Sequence, residues 1–214
     1  KKRILMTGNN ISSVLKSVTK PGRYIGGEYN AIKKDKAAVS CRFAFCFPDT
    51  YEIGMSNLGV RILYETLNRR DDVWCERVYA PWTDMQEKMK EHGMLLSTLE
   101  SGDEVRTFDF LGITLQYELC YTNVLRTLKL AGIPLYARDR GEEHPIIIGG
   151  GPCAYNAEPI ADFFDCFSIG EGEEMNIEFY QVWADHLKRN HGKMNKKELL
   201  DEVVKIQGVY IPQF

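Results

Sequence analysis

Several features are missing from this chain of 214 residues, and each absence excludes a class of protein. None of the six cysteines stands in C-x-x-C or C-x-x-x-C-x-x-C spacing, which argues against a zinc ribbon and against the usual cysteine triad of an iron–sulfur cluster. No apolar run approaches the roughly 18 residues of a membrane span. No apolar secretory segment follows the basic start of the chain. We therefore expect neither a membrane protein nor a secreted one.

An excess of charge is also missing. Lys and Arg total 27 against 30 Asp and Glu, which gives a net charge of -3. Bulk attraction to nucleic acid or to an anionic membrane is therefore not expected. The four histidines have no Cys or Ser partner nearby in sequence, so no nucleophilic triad and no catalytic residue is predicted.

What the chain does have is the composition of a globular protein. Hydrophobic residues make up 44% and charged residues 27%, which allows a sizeable core. The cysteines have mostly apolar neighbours, as in Phe45-Cys46-Phe47, and are interpreted as buried small hydrophobes. The expected setting is a reducing cytoplasm, in which these thiols stay free.

Strand and helix patterns alternate along the chain from about residue 38 onward. The predicted strands are Val39–Phe47, Val73–Tyr79, Phe108–Leu115, Pro145–Ile148 and Asp165–Ile169. The main helices predicted between and after them are Leu58–Arg70, Trp82–Glu91, Glu118–Ala131 and Glu173–Arg189. This alternation indicates βαβ units, and hence an α/β fold with a flavodoxin-like (Rossmann-like), doubly wound, mainly parallel sheet of five strands.

Helical extensions flank this pattern at both ends. Residues 1–36 are predicted to hold a short amphipathic helix ended by Pro21-Gly22, followed by a loop. Residues 37–190 form the predicted α/β domain, and residues 191–214 a last helix, Lys196–Ile206, with a linker.

The unusual parts of the sequence follow the strands. In a doubly wound sheet, ligands bind outside the carboxyl ends of the strands, at the point where the strand order reverses. With the order 2-1-3-4-5, the loops after strands one, three, four and five are neighbours. The residues predicted there to bind a cofactor are Asp49, Tyr51, Gly54, Thr114, Leu115, Gln116, Gly149, Gly150, Gly151, Glu171 and Gly172. Consecutive glycines leave the backbone bare for a ligand, although a tight turn explains them equally well.

These loops resemble those of cobalamin-binding domains. That family carries D-x-H-x-x-G after strand one, S-x-L or S-x-T after strand three and G-G after strand four, and this chain has Asp49-x-Tyr51-x-x-Gly54, Thr114-Leu115-Gln116 and Gly149-Gly150. The resemblance implies a cobalamin cofactor, but Tyr51 replaces the histidine that supplies the lower axial nitrogen to cobalt. A phenol with a pKa of about 10 is a poor substitute for imidazole. Cobalamin is therefore expected to bind, if at all, without that ligand.

A closer resemblance covers nearly the whole chain. The residues that carry it are Pro21-Gly22-Arg23-Tyr24-Ile25-Gly26-Gly27-Glu28, Phe47-Pro48-Asp49-Thr50-Tyr51-Glu52-Ile53-Gly54-Met55-Ser56, Glu76-Arg77-Val78-Tyr79-Ala80-Pro81-Trp82, Leu115-Gln116-Tyr117-Glu118, Tyr121-Thr122-Asn123, Gly149-Gly150-Gly151-Pro152 and Gly170-Glu171-Gly172-Glu173. They look like the amino-terminal region of an uncharacterised group of radical SAM proteins, in which a cobalamin-binding-like domain precedes the radical SAM barrel.

The resemblance implies a non-catalytic accessory domain whose partner is the downstream barrel of the same chain. It also implies that the [4Fe–4S] cluster and S-adenosylmethionine belong to that barrel, because the C-x-x-x-C-x-x-C motif is not in these 214 residues. On this interpretation the sequence is the front portion of a longer one, and no metal ligand is expected in it.

Other interpretations of the same residues remain open. The domain could be a ligand-free docking module or a small-molecule sensor. Asp49 could cap the turn after Pro48, Tyr51 could be a packed aromatic, and Glu171 could serve only the dipole of the following helix. Flavodoxin, receiver and dinucleotide-binding motifs fit these loops less well.

Overall fold

The computed structural model describes residues 8–214. Its helices are α1 (Gly8–Leu15), α2 (Tyr51–Ser56), α3 (Leu58–Asn68), α4 (Thr83–His92), α5 (Tyr121–Leu130), α6 (Gly172–Arg189) and α7 (Lys196–Val203). Its strands are β1 (Cys41–Phe47), β2 (Val73–Tyr79), β3 (Phe110–Thr114), β4 (Ile146–Gly150), β5 (Cys166–Ser168) and β6 (Val209–Tyr210). The short helix predicted within residues 1–36 corresponds to α1, which ends at Leu15 and thus before Pro21-Gly22.

The sheet has the order β2-β1-β3-β4-β5-β6 in the described part of the chain. Strands β1 to β5 are parallel, as predicted, and the flavodoxin-like order is confirmed. The prediction of five strands is one short, because β6 pairs antiparallel with β5 through Phe167–Tyr210 and Ser168–Val209. A two-residue strand is too short to show a period-two pattern, so only the folded chain reveals it.

The alternation of side chains along the strands divides the core into two layers. Phe43, Phe45 and Phe110 pack against α3, α6 and α7, whereas Ala44 and Leu111 pack against α1, α4 and α5. The chain therefore leaves β1 toward one face and β3 toward the other. This places the reversal of strand order between β1 and β3, where doubly wound folds bind ligands.

The outer edge of β2 is covered by a segment that the sequence pattern did not predict. The backbone N–H of Leu99 donates to the carbonyl of Arg77 (3.0 Å), and the carboxylate of Glu100 accepts from the N–H of Arg77 (2.7 Å). A carboxylate thus takes the place of a neighbouring strand, which protects an edge that would otherwise pair with another chain.

All six cysteines are buried and free, as predicted. No helix among residues 8–214 is long and apolar enough to cross a membrane.

Candidate functional site

The carboxyl edge of the sheet, where β1 to β5 end, brings the predicted loops together. In the register of the sheet, Thr114 lies opposite Gly150, and Gly150 lies opposite Ser168. Helices α3 and α6 begin at the same edge, at Leu58 and Gly172. Three neighbouring strands and two helix starts therefore converge on one place.

A cavity of about 160 Å³ lies between α3 and α6 at this edge, and we call it the α3–α6 slot. Its floor is made by Phe45, Gly112 and Ile148, and its walls include Leu63 of α3 and Asn176 of α6. Its mouth is lined by the predicted residues Thr114, Gln116, Gly150, Gly151 and Gly172, together with Ser168.

The glycines of the predicted motifs serve different purposes. A Cβ on Gly54 would lie 2.4 Å from the ring of Tyr79, and one on Gly149 would lie 2.6 Å from the ring of Phe167. Both positions exclude a side chain because an aromatic ring packs against the backbone. Gly151 has a φ of +97°, which favours glycine at this turn. Gly150 differs, because a Cβ there would meet nothing closer than 3.8 Å.

Large apolar side chains are exposed around the same edge. Five of them each follow one of the strands β1 to β4, and we call these the exposed edge residues. They are Met55, Trp82, Tyr117, Leu119 and Tyr155. Leu119 is 83% exposed and Tyr155 is 75% exposed. Monomeric proteins seldom leave such groups together in water without a binding role.

Comparison with known proteins places the chain in a family. The family model described as "Radical SAM proteins, N-terminal" matches residues 59–212, which is well over half of the sequence. The chain belongs to the radical SAM N-terminal family. An uncharacterized protein of Methanocaldococcus jannaschii is 30% identical over 137 residues, which cover 63% of this chain and 24% of that protein. The chain thus spans about a quarter of the length of this relative. No solved structure matches it.

The family assignment confirms the radical SAM part of the resemblance, while none of these matches bears on cobalamin.

The geometry around Tyr51 bears on whether this residue could be an axial ligand to cobalt. In this radical SAM N-terminal domain the Tyr51 hydroxyl donates to Glu28 (2.9 Å), and its ring packs edge-on against Tyr79 with centroids 5.4 Å apart. Burial and the neighbouring Glu28 carboxylate raise the pKa of Tyr51. A protonated phenol held by Glu28 does not fit the role of an axial ligand to cobalt.

Tyr51 belongs to a chain of charged contacts on the β2 side of the edge. Glu28 pairs with Arg77 (3.0 Å), and Arg77 pairs with the buried Glu100 (2.6 Å). Burial alone would lower the pKa of Arg77, but the charge and the hydrogen bond of Glu100, together with the charge of the nearby Glu28, outweigh burial and raise the pKa. A hydrogen bond from the backbone, the hydrogen bond from Tyr51 and the charge of Arg77 together overcome the effect of burial on Glu28, whose pKa is lowered.

Asp49 is also bonded within the protein. Its carboxylate accepts from the N–H of Thr50 (2.6 Å) and from the hydroxyl of Tyr117 (3.2 Å), while Asn123 donates to the carbonyl of Pro48 (3.0 Å). These bonds tie the loop after β1 to the loop and helix after β3. Asp49 therefore combines a turn-capping contact with a link across the reversal point.

Three further predicted residues differ in where they lie. The side chain of Leu115 is fully buried in the core, and its backbone N–H donates to the carbonyl of Gly150 (2.6 Å). Glu171 caps α6 without a side-chain hydrogen bond to the helix, and it does not line the slot. The side chain of Gln116 donates to Thr114 (2.6 Å) at the mouth.

Sequence reasoning missed Asn57, Ser168 and Asn176, all of which line the slot. Asn176 lies on the buried face of α6 beside Met175 and Phe179, where an amide interrupts an apolar stripe. A polar residue within an apolar stripe was the available signal in the sequence. Whether it marks a binding site depends on what the helix packs against.

Proposed function

We propose that this domain is a non-catalytic accessory domain that packs its carboxyl edge against the catalytic part of the same radical SAM protein. The observation that carries the proposal is the position of the exposed edge residues, which lie in the segments that follow strands β1 to β4. Family membership supports the wider context, since the matched family is the amino-terminal domain of radical SAM proteins.

The chemistry of the whole protein is part of the proposal. We expect a barrel in the same chain to hold a [4Fe–4S] cluster on a C-x-x-x-C-x-x-C motif and to use S-adenosylmethionine, in the cytoplasm. The cysteines of this domain suit a structural role, because burial raises the pKa of Cys41, Cys75 and Cys166. Thiols that resist deprotonation are poor cluster ligands.

The docking role is tested in the full-length protein. A Leu119→Glu/Tyr155→Glu variant places two charges on the proposed interface, so we expect small-angle scattering to report a larger radius of gyration and limited proteolysis to cut faster outside this domain. Val204→Glu, at an exposed position just after α7, is the matched control. Unchanged compactness and proteolysis in the double variant would refute the docking role.

Cobalamin binding is the second candidate function. It is favoured by the opening of the α3–α6 slot at the reversal point and by the bare backbone at Gly150. Thr114, Gly150 and Gly151 would contact the ligand, which would have no axial side chain from the protein. We expect hydroxocobalamin to co-elute with the full-length protein and to change its visible spectrum. Absence of both effects at high micromolar cobalamin excludes this candidate.

A further inference from the structure

The α3–α6 slot is not part of the proposed docking surface. The exposed edge residues do not line it, and its own lining is different in character. Phe45, Leu63 and Ile148 make it apolar at the bottom, whereas Thr114 and Ser168 place hydroxyls at its mouth.

No ionisable side chain lines the slot in the described part of the chain. The charged residues next to its lining in sequence are Arg61, which lines a different cavity beside Glu28, and three glutamates at the start of α6, namely Glu171, Glu173 and Glu174. Their carboxylates already face the positive end of the helix dipole, and they would repel a second anion there. The slot therefore suits an uncharged ligand and disfavours a phosphate.

One side-chain acceptor that lines the slot has no protein partner among residues 8–214. Asn176 is only 6% exposed, and its side-chain nitrogen donates to the carbonyl of Gly172 (2.8 Å). Because a carbonyl can only accept, this bond fixes the orientation of the amide and turns Oδ1 elsewhere. Among residues 8–214, no group donates to Oδ1, and this oxygen is not one of the fully buried atoms without a partner, so it stays accessible from the slot. A ligand N–H can therefore take the place of solvent on this acceptor.

The size of the slot restricts the ligand further. Its volume of about 160 Å³ is close to that of an engineered cavity of roughly 150 Å³ that binds benzene. Gly150 leaves open backbone at the mouth, where a Cβ would meet nothing closer than 3.8 Å, and this favours a flat group. The corresponding space at Gly112 is taken by the ring of Phe43. A corrin macrocycle is far too large to enter the slot and could lie only across its mouth, whereas an aromatic ring with substituents extending through the mouth fits inside.

We propose that the α3–α6 slot binds an uncharged aromatic heterocycle that carries an N–H donor, of the class of an aminopurine nucleoside, with the donor on Asn176. Phosphorylated forms of the same nucleoside bind worse, because the glutamates at the start of α6 oppose their charge.

The test measures binding of adenosine and of AMP to the full-length protein by isothermal titration calorimetry. Adenosine is expected to bind saturably, and AMP at least tenfold more weakly. Gly150→Val fills the slot without a backbone clash, since a Cβ there has 3.8 Å of space, and should abolish adenosine binding. Gly22→Val is the matched control, because Gly22 is exposed with nothing within 4 Å of its Cβ position.

A second variant, Asn176→Ala, tests adenosine binding without filling the slot. Loss of one hydrogen bond should weaken adenosine binding roughly tenfold. The proposal fails if wild-type protein does not bind at millimolar adenosine, if AMP binds as tightly, or if both variants bind like the wild type. The Leu119→Glu/Tyr155→Glu variant should keep adenosine binding, so failure of the docking role and failure of the slot are distinguishable.

Discussion

The two halves of the carboxyl edge differ in how far protein groups satisfy one another. On the β2 side, Asp49 and Tyr51 are bonded to neighbouring groups, and Arg77 lies between Glu28 and Glu100. On the β4 side, the α3–α6 slot leaves space, bare backbone at Gly150 and an acceptor on Asn176. We call the β2 side the closed half, because its side chains bond to one another and stabilise the fold. We call the β4 side the open half, because it can receive a ligand. The residues that the sequence predicts for one site are thus divided between the two halves.

The largest expected effect lies in the closed half. Glu100→Ala removes the main partner of the buried Arg77 and leaves a poorly compensated charge, so the free energy of unfolding should fall by about 3 kcal/mol. Urea denaturation measures the change. The control is Glu65→Ala, which breaks only an exposed pair with Arg69 and should change stability by less than about 0.5 kcal/mol. Equal effects in the two variants would contradict the distinction.

A pair of glycine substitutions compares the halves directly. Gly54→Ala forces a Cβ to within 2.4 Å of the Tyr79 ring, so it should destabilise the protein by about 2 kcal/mol. Gly150→Ala meets no atom closer than 3.8 Å and should stay within about 0.5 kcal/mol of the wild type. Thermal unfolding of both variants measures the difference. A larger loss at Gly150 would mean that the open half is packed after all.

The smallest effect concerns pH and Glu28. Its folded pKa lies below the usual value of 4.5, so its contribution to stability is present above that value and is lost as the pH falls through the lowered pKa. Glu28→Gln should therefore reduce the loss of stability that the protein shows as the pH falls below 4.5. Urea midpoints at a series of pH values test this, with Glu118→Gln on the β3 side as the control. If the urea midpoint of the variant falls with decreasing pH as it does in the wild type, Glu28 does not contribute to the stability of the closed half.

Much of the fold was predictable, because long strands and helices show a regular spacing of apolar residues along the sequence. Val73–Tyr79 begins and ends where its pattern predicts, and the order of β1 to β5 follows from the rules for parallel sheets. Strand β4 runs two residues past its prediction, through Gly149 and Gly150, since residues without side chains show no apolar pattern. The residues after β1 form α2, which the sequence indicated only as a loop.

The site was predictable only in part. Thr114, Gln116 and Gly150 line the slot, because they follow or end strands that must lie side by side, while their predicted binding role stays a prediction. The motif could not tell that Gly54 and Gly149 pack against rings, since those rings come from distant positions, Tyr79 and Phe167.

The sequence by itself determined the family, the layers of the fold and the edge at which its unusual loops meet, since these depend on local periodicity and on motif spacing. Only the tertiary structure decided which half of that edge is closed and which is open. That choice depends on contacts between residues far apart in the chain, such as Tyr51 with Glu28 and Arg77 with Glu100. It depends equally on Asn176, whose free acceptor gains a meaning only because α6 lies beside α3.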